Sequence, residues 1–305
     1  MDEPLVSIAL CTYNGERFLR RQIDSLLNQT YPNLEIIICD DASGDLTKEI
    51  INSYRDDRLV KNFNTINIGY VKNFEHAISI CTGKFIALCD QDDLWQPEKI
   101  QSMLDSMGNS LLIFSDSALI DENDNYLKRN ISDLRKLYNC RVLHGYVWSN
   151  CVWGHAILMN RELLDLAMPV PKGAKHDIWF AFTAACMGKI KYLNKVLTFY
   201  RQHSSSETIT ISVPATKRNK KTKYGDYIEK LSWIKCQRDF SANNEKEFFN
   251  RLFQLYSDLS LSNRIALADL LLKNRARIFS FTYRSTLSQL NEIRKICRKV
   301  PSSDK

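Results

Sequence analysis

Residues 85–93 read FIALCDQDD: an apolar strand, Phe85 to Cys89, runs straight into Asp90, Gln91, Asp92 and Asp93. Three carboxylates within four positions at the end of a buried strand repel one another and lose solvation, so a cation is expected to balance them. A divalent metal is the natural choice. Asp90 and Asp92, in a D-x-D arrangement, offer hard oxygen ligands suited to Mn2+ or Mg2+.

Upstream of this stretch, Val6 to Cys11 and Leu34 to Cys39 are unbroken apolar runs suited to strands buried on both faces. Between them Phe18, Leu19, Ile23, Leu26 and Leu27 share one helical face, with Arg17, Arg20, Arg21 and Asp24 opposite. A third strand is expected near Val60 to Asn64, then a helix carrying Val71, Phe74, Ile78 and Cys81 that Gly83 closes. Pro97 is expected in the first turn of the next helix, and Leu111 to Ser115 makes a fifth strand. This alternation predicts an α/β fold with a mostly parallel sheet flanked by helices.

From about 126 to 212 the pattern loosens into short strands, a helix starting near Asp177, and a strand pair, Ile190 to Leu193 and Val196 to Tyr200. After SSSET and Pro214 the run TKRNKKTK reads as a linker, and the remainder has helical spacing, as in Leu252, Leu255, Leu259 and Leu261. The expected organisation is residues 1–212 as one domain, with parts 1–115 and 116–212, and residues 213–305 as a basic helical C-terminal extension.

The chain of 305 residues is 44% hydrophobic, enough for a sizeable core. Its nine cysteines form no CxxC pair and read as reduced core thiols of a cytosolic protein. MDEPLVSIALCTYN lacks the basic leader of a secretory signal, and the longest apolar candidate, Trp179 to Gly188, falls short of the roughly 20 residues that span a bilayer. A cytoplasmic protein, peripheral on the inner face of the plasma membrane, is expected. The net charge of +7 is uneven: from Val213 onward lie 20 of the 42 Lys and Arg but only 9 of the 35 Asp and Glu. Such a tail suits an anionic membrane surface or a homodimer contact; the alternative is a well-solvated helical surface.

Ligands of open α/β sheets bind beyond the carboxyl ends of strands, and three ends here are strongly polar: Thr12 to Glu16, Asp40 to Ser43, and Asp90 to Asp93. Tyr13 offers a face for a base, and Asp41 an acceptor for the N3–H of uracil or thymine. The alternative is that Asp40, Asp41 and Ser43 form a turn and cap the helix beginning near Asp45. The sequence has no GxGxxG and no Walker A, so a glycine loop does not cradle phosphates and a metal would take that role.

The stretches VSIALCTYNGERFLRRQIDSLLNQTYPNLEIIICDDASGDLT and NIGYVKNFEHAISICTGKFIALCDQDDLWQPEK resemble a family 2 glycosyltransferase of the GT-A fold, over about residues 4–203. The resemblance implies a nucleotide-sugar site formed by Thr12, Tyr13, Glu16, Asp41, Asn73, Asp90 and Gln91, with Lys72 near the phosphates. It implies metal binding by Asp92 and Asp90, with His203 as a further ligand; a lone histidine there also fits a structural role.

The family's base commonly lies in an E-D pair before a helix, and the matching pair in KHDIWFAF is His176 and Asp177. HDIW followed by GKIKYLNKVLTFYRQH resembles bacterial rhamnosyl and related O-antigen and capsule transferases. Asp177 is therefore the expected catalytic base, the alternative being a helix N-cap. Trp153, His176 and Trp179 are expected on the acceptor side, although a tryptophan in such a domain also serves as core.

The expected activity is metal-dependent inverting transfer from a UDP- or dTDP-sugar to a hydroxyl of a lipid-linked saccharide, without nucleic acid as a partner. Two rivals stand beside it: a non-catalytic nucleotide-sugar or polysaccharide-binding module on the same fold, and a nucleotidyltransferase.

Overall fold

The computed structural model describes residues 3–203, 223–241 and 245–298. The SSSET stretch and the expected linker TKRNKKTK, apart from its last residue Lys223, lie outside them. Nine strands form one sheet: β1 (Val6–Thr12), β2 (Leu34–Asp40), β3 (Leu59–Phe63), β4 (Phe85–Cys89), β5 (Leu94–Trp95), β6 (Leu112–Ile120), β7 (Tyr126–Asn130), β8 (Ile157–Asn160) and β9 (Ile190–Arg201). Their order is β3-β2-β1-β4-β8-β6-β9-β5, with β7 paired to β6. β3, β2, β1 and β4 run parallel, β8 lies antiparallel between β4 and β6, β9 is parallel to β6, and β5 is antiparallel to β9.

The helices are α1 (Leu19–Leu27), α2 (Thr47–Ser53), α3 (Tyr70–Ile80), α4 (Lys99–Met107), α5 (Leu164–Ala167), α6 (His176–Cys186), α7 (Lys223–Phe240), α8 (Lys246–Ser257), α9 (Leu261–Lys273), α10 (Arg275–Ile278) and α11 (Thr286–Ile296). Successive strand side chains point to opposite faces, and the apolar runs divide accordingly. Ile8, Leu10, Ile36, Ile38 and Ala87 pack with Leu19, Ile23 and Leu26 of α1 and Ile100 and Met103 of α4. Ala9, Ile37, Ile86 and Leu88 pack with Phe74, Ala77 and Ile78 of α3 on the other face. This is why the parallel strands read as continuous apolar runs.

The second core continues without a break through Tyr146, Trp179 and Phe182 into Trp233, Phe249, Leu252, Leu267 and Phe281 of the C-terminal helical region. These helices complete a core that the sheet region leaves open on that side.

The structure departs from the sequence expectation in four places. Ile190–Arg201 is one strand of 12 residues, where a pair was expected. Both halves pair with β6, and the register steps from Leu193 opposite Ser115 to Val196 opposite Asp116. Asn194 and Lys195, the polar residues that suggested a turn, are thus the extra residues of a bulge. β6 also runs past Ser115 to Ile120, because Asp116 and Ser117 find partners inside the fold. Pro97 precedes α4, which begins at Lys99. Finally, Cys140 and Cys151, both buried, bring their sulfurs together as a pair where the sequence spacing suggested none, and the other seven cysteines are free thiols.

Candidate active site

Strand order reverses between β1 and β4: the chain builds outward from β1 through β2 to β3, then returns to place β4 on the other side of β1. Connections part at such a point and leave a crevice at the carboxyl ends. Thr12 to Glu16 and Asp90 to Asp93 face each other there.

Gln91 fastens the two rims together. Its Oε1 accepts the Tyr13 N–H at 2.8 Å and its Nε2 donates to the Tyr13 carbonyl at 3.0 Å. A Cβ at Gly15 would fall on Gln91 Oε1, so the clamp requires glycine at that position. Asn14 and Ala42 hold left-handed backbone, φ 48° and 59°, at the ends of β1 and β2. Asn14 is fixed there by Ser43 Oγ, which accepts its N–H at 2.9 Å, and by its own Oδ1, which accepts Gly44 N–H at 2.9 Å.

Most side chains expected at the nucleotide are engaged in building this rim. Thr12 Oγ1 donates to Asp40 Oδ1 at 2.9 Å, and Glu16 Oε2 accepts Leu46 N–H at 2.9 Å. Asp41, 2% exposed, accepts from Asn64 Nδ2, Ile68 N–H and Gly69 N–H, each at 2.9 Å, and so pins the 64–69 loop. Asn73 is buried, donating to the Cys39 carbonyl at 2.9 Å and accepting from Asn64 Nδ2 at 3.0 Å. Lys72 pairs with Glu75. Ser43 does not cap α2, whose N-cap is Leu46; Asp45, one residue before it, accepts Thr47 N–H at 3.0 Å. The Tyr13 ring, 49% exposed, remains open as a stacking face.

Below the rim the carboxylates separate by depth. Asp93 is fully buried; its Oδ1 accepts Arg201 N–H at 3.0 Å, while Oδ2 lies 3.4 Å from His155 Nδ1 without a hydrogen-bond partner among the described residues. Asp90 Oδ2 lies 3.9 Å from the same nitrogen. Asp90, Asp93 and His155 thus form a three-ligand group able to hold a metal ion. Burial holds the His155 imidazole well below its ordinary pKa, and its Nε2 lies 3.0 Å from Ser117 Oγ. Desolvation, then the charges of Asp92 and Asp177, push the Asp90 carboxyl up to about 7, although 43% of its side chain stays exposed.

Asp92 turns the other way and meets His203, Oδ2 to Nε2, at 2.8 Å. Topology makes that contact: β5 follows the acidic cluster directly and pairs antiparallel with the end of β9, which delivers Arg201 and His203 to Asp92 and Asp93. Arg201 also donates from Nε to the Asp92 carbonyl at 2.7 Å. Lys99 lies entirely buried behind the cluster, donating to the His155 carbonyl and, at 2.9 Å, to Thr198 Oγ1, with its ammonium 3.5 Å over the Trp95 ring. Desolvation brings its pKa down to about 7. A fully buried carboxylate oxygen without a donor, beside a neutral imidazole and a second carboxylate, is a donor set that fits a divalent metal ion.

Asp177 lies in the first turn of α6, with Asn150 Nδ2 3.4 Å from its Oδ2. Its charge is one of those that raise the Asp90 pKa, so the two carboxylates lie within electrostatic range despite their separation in sequence. His176 is buried against Phe74 and Tyr70, with ring centroids 4.2 and 5.8 Å away, and burial lowers its pKa. Trp153 is half-buried beside Leu119, Ile131 and Tyr200. Trp179 does not reach the acceptor side. It is 4% exposed, donates Nε1–H to the Ala167 carbonyl at 2.7 Å, and packs on Trp233, Phe182 and Phe240.

Sequence reasoning passed over His155, Ser117, Asn150, Arg201 and Lys99. A lysine inside the LWQPEK stretch that follows three aspartates was a usable signal. The others depend on strand pairing: antiparallel β8 brings the residues before Ile157 beneath the end of β4.

A family model described as glycosyl transferase family 2 matches residues 7–166. The chain is 37% identical over 265 residues to an uncharacterized glycosyltransferase of Methanocaldococcus jannaschii, covering 83% of this chain and 84% of the relative. It is 30% identical over 202 residues to an Escherichia coli protein named UDP-Glc:alpha-D-GlcNAc-diphosphoundecaprenol beta-1,3-glucosyltransferase, covering 66% of this chain and 79% of the relative. Among solved structures it is similar to S. aureus TarS 1-349 in complex with UDP-GlcNAc, with a TM-score of 0.64 at 16% identity over 96% of this chain and 88% of that one. It is also similar to a mannosyltransferase from Pyrobaculum calidifontis in complex with GDP-Man and Mn2+, with a TM-score of 0.56 at 18% identity over 97% and 86%. At these identities the structural likeness establishes the fold, which is GT-A.

Proposed function

The chain belongs to glycosyl transferase family 2 and is a glycosyltransferase, and from that premise we propose an inverting transfer from a UDP- or dTDP-sugar to a hydroxyl of a lipid-linked saccharide. The observation that supports this reading is Asp177 in the first turn of α6, held beside Asn150 and near enough to the acidic cluster for its charge to act on Asp90. A binding module has no need of such a base.

In this reading the nucleobase stacks on Tyr13, and Asp177 takes the proton of the acceptor hydroxyl as its oxygen attacks the anomeric carbon. Asn150 orients the base through its 3.4 Å contact. Asp90 and Asp92, with His203 or with the Asp93–His155 pair, would hold the cation. When bound, a divalent cation supplies the positive charge that a departing diphosphate requires. Escherichia coli relatives named as UDP-Glc transferases acting on a diphosphoundecaprenol acceptor favour a UDP-hexose over a rhamnosyl donor, and a lipid-linked acceptor.

Asp177→Asn is expected to lower transfer by about 10²–10⁴-fold while UDP binding in Mn2+ is retained. Full activity in that variant would overturn the base assignment.

A lipid-linked acceptor also calls for contact with a membrane surface. Among the described residues no helix is long and apolar enough to cross a bilayer. Leu261 and Ile265 of α9 and Leu287 of α11 are exposed in a C-terminal region rich in Lys and Arg, which supports peripheral association with anionic lipid. Flotation with vesicles containing phosphatidylglycerol is expected, and loss of flotation when Leu261, Ile265 and Leu287 become serine; unchanged flotation would refute it.

A further inference from the structure

A cavity of about 320 Å³ lies between the 134–149 segment and the C-terminal helices, lined by Arg135, Trp148, Ser149, Tyr283, Arg284 and Glu292 among others. Its charge is unbalanced. Arg135 donates from one terminal nitrogen to the Leu134 carbonyl at 2.9 Å, and its buried Nε–H has no partner among the described residues. Glu292, the acid in the lining, is taken at 3.0 Å by Arg284 and at 3.6 Å by Lys295. Burial, then the neighbouring charge of Arg284, lowers the Arg135 pKa, as expected when two guanidinium groups share a site short of anions. Lys136 adds a further cation 5.6 Å from the Tyr283 ring.

One wall of the cavity leads along the chain to the partner of Asp177. Ser149, in its wall, is the chain neighbour of Asn150, whose amide touches Asp177. Tyr283, in another wall, donates its hydroxyl to the Ser132 carbonyl at 3.0 Å, and Ser132 N–H donates to Asp116 Oδ1 at 3.1 Å on the strand that carries Ser117. The wall residues are thus tied on one side to β6 and on the other, through the chain, to Asn150.

We propose that this cavity binds the phosphoryl group through which the acceptor sugar is joined to its lipid carrier, with Arg135 and Arg284 as the anion ligands and Trp148 as an apolar wall. A planar guanidinium with free donors is suited to phosphate oxygens, and an unmet buried N–H gains most from such a partner. Glu292 keeps Arg284 in place and disfavours entry of an anion unless it is strong enough to draw on both arginines. This inference rests on the acceptor assignment above. It adds what the acidic crevice cannot provide, a way to recognise the negatively charged end of the acceptor apart from the donor diphosphate.

The first test is calorimetric titration with inorganic pyrophosphate in EDTA, where a metal-held donor site is silent. Wild-type protein is expected to bind; Arg135→Gln is expected to weaken binding at least tenfold, and Asp92→Asn to leave it intact. Unchanged binding in Arg135→Gln, or loss in Asp92→Asn alone, overturns the proposal, with folding of each variant checked by thermal melting.

The second test compares GlcNAc-α-diphosphoryl-alkyl with GlcNAc-α-alkyl as acceptors. Arg135→Gln is expected to raise KM for the diphosphoryl acceptor about tenfold, leaving the other acceptor and the KM for the UDP-sugar unchanged. An equal effect on both acceptors overturns the proposal. Pyrophosphate that binds at Arg135 while the acceptors show no difference assigns the cavity to free phosphate and also overturns it. If wild-type protein transfers to neither acceptor, the functional reading is at fault, and the pyrophosphate titration still decides the cavity.

Discussion

Gly15 and Gln91 show how a single missing side chain governs the crevice. The Gln91 amide satisfies both the N–H and the carbonyl of Tyr13, and it reaches them only because Gly15 leaves its Cβ position vacant. Gly15→Ala is expected to displace the amide, weaken UDP binding about tenfold and cost about 1–2 kcal/mol of stability, the worth of two net hydrogen bonds. Gln91→Ala should do the same, and the double variant should be no worse than either alone, because one interaction is lost in each case. Titration of UDP into the three variants checks this; additive losses would show that Gly15 acts by some other route. The polar residues of the rim were legible in sequence as a group. Their division of labour was not, because Thr12, Glu16, Asp41 and Asn73 are complementary to one another as much as to a ligand.

At the scale of elements, β9 and α6 carry the clearest lessons. The polar Asn194 and Lys195 resemble a turn, yet β9 continues past them because both flanks have a partner in β6, and the surplus residues Asn194, Lys195 and Leu197 are accommodated by two register steps. Pairing that resumes beyond these steps is what carries the strand to Arg201 and, just past its end, His203, against Asp93 and Asp92. On α6, Asp177 sits in the first turn beside Asn150 while Trp179 is directed into the core. Trp179→Ala is therefore expected to destabilise the fold by about 3–5 kcal/mol through lost burial and a residual cavity. Urea unfolding measures that loss, and acceptor KM in the folded fraction is expected to stay within twofold of wild type. A large KM change with little loss of stability would restore Trp179 to the acceptor side.

Over the whole molecule, the sheet region and the C-terminal helices are joined by one continuous set of buried aromatic and aliphatic residues, including Tyr146, Phe182, Trp233, Phe249 and Phe281. A chain ending at His203 would leave Tyr146, Trp179 and Phe182 facing water, and burial of each such side chain is worth about 1.5–3 kcal/mol. That truncation is expected to lack a cooperative thermal transition, as scanning calorimetry would show; a truncated chain melting like the full one would mean the helices are dispensable to the fold. By itself the sequence determined the parallel βαβ half, the three polar strand ends and the acidic cluster, since apolar period, caps and local charge are properties of neighbouring residues. Tertiary structure alone decided which of those groups meet. His155 reaches Asp93 through an antiparallel strand, His203 reaches Asp92 through a two-residue strand on β9, and Asn150 reaches Asp177 at the start of α6. Each of these contacts joins residues far apart in the chain, and strand order and register, which set them, depend on how the whole apolar surface is buried rather than on any local stretch.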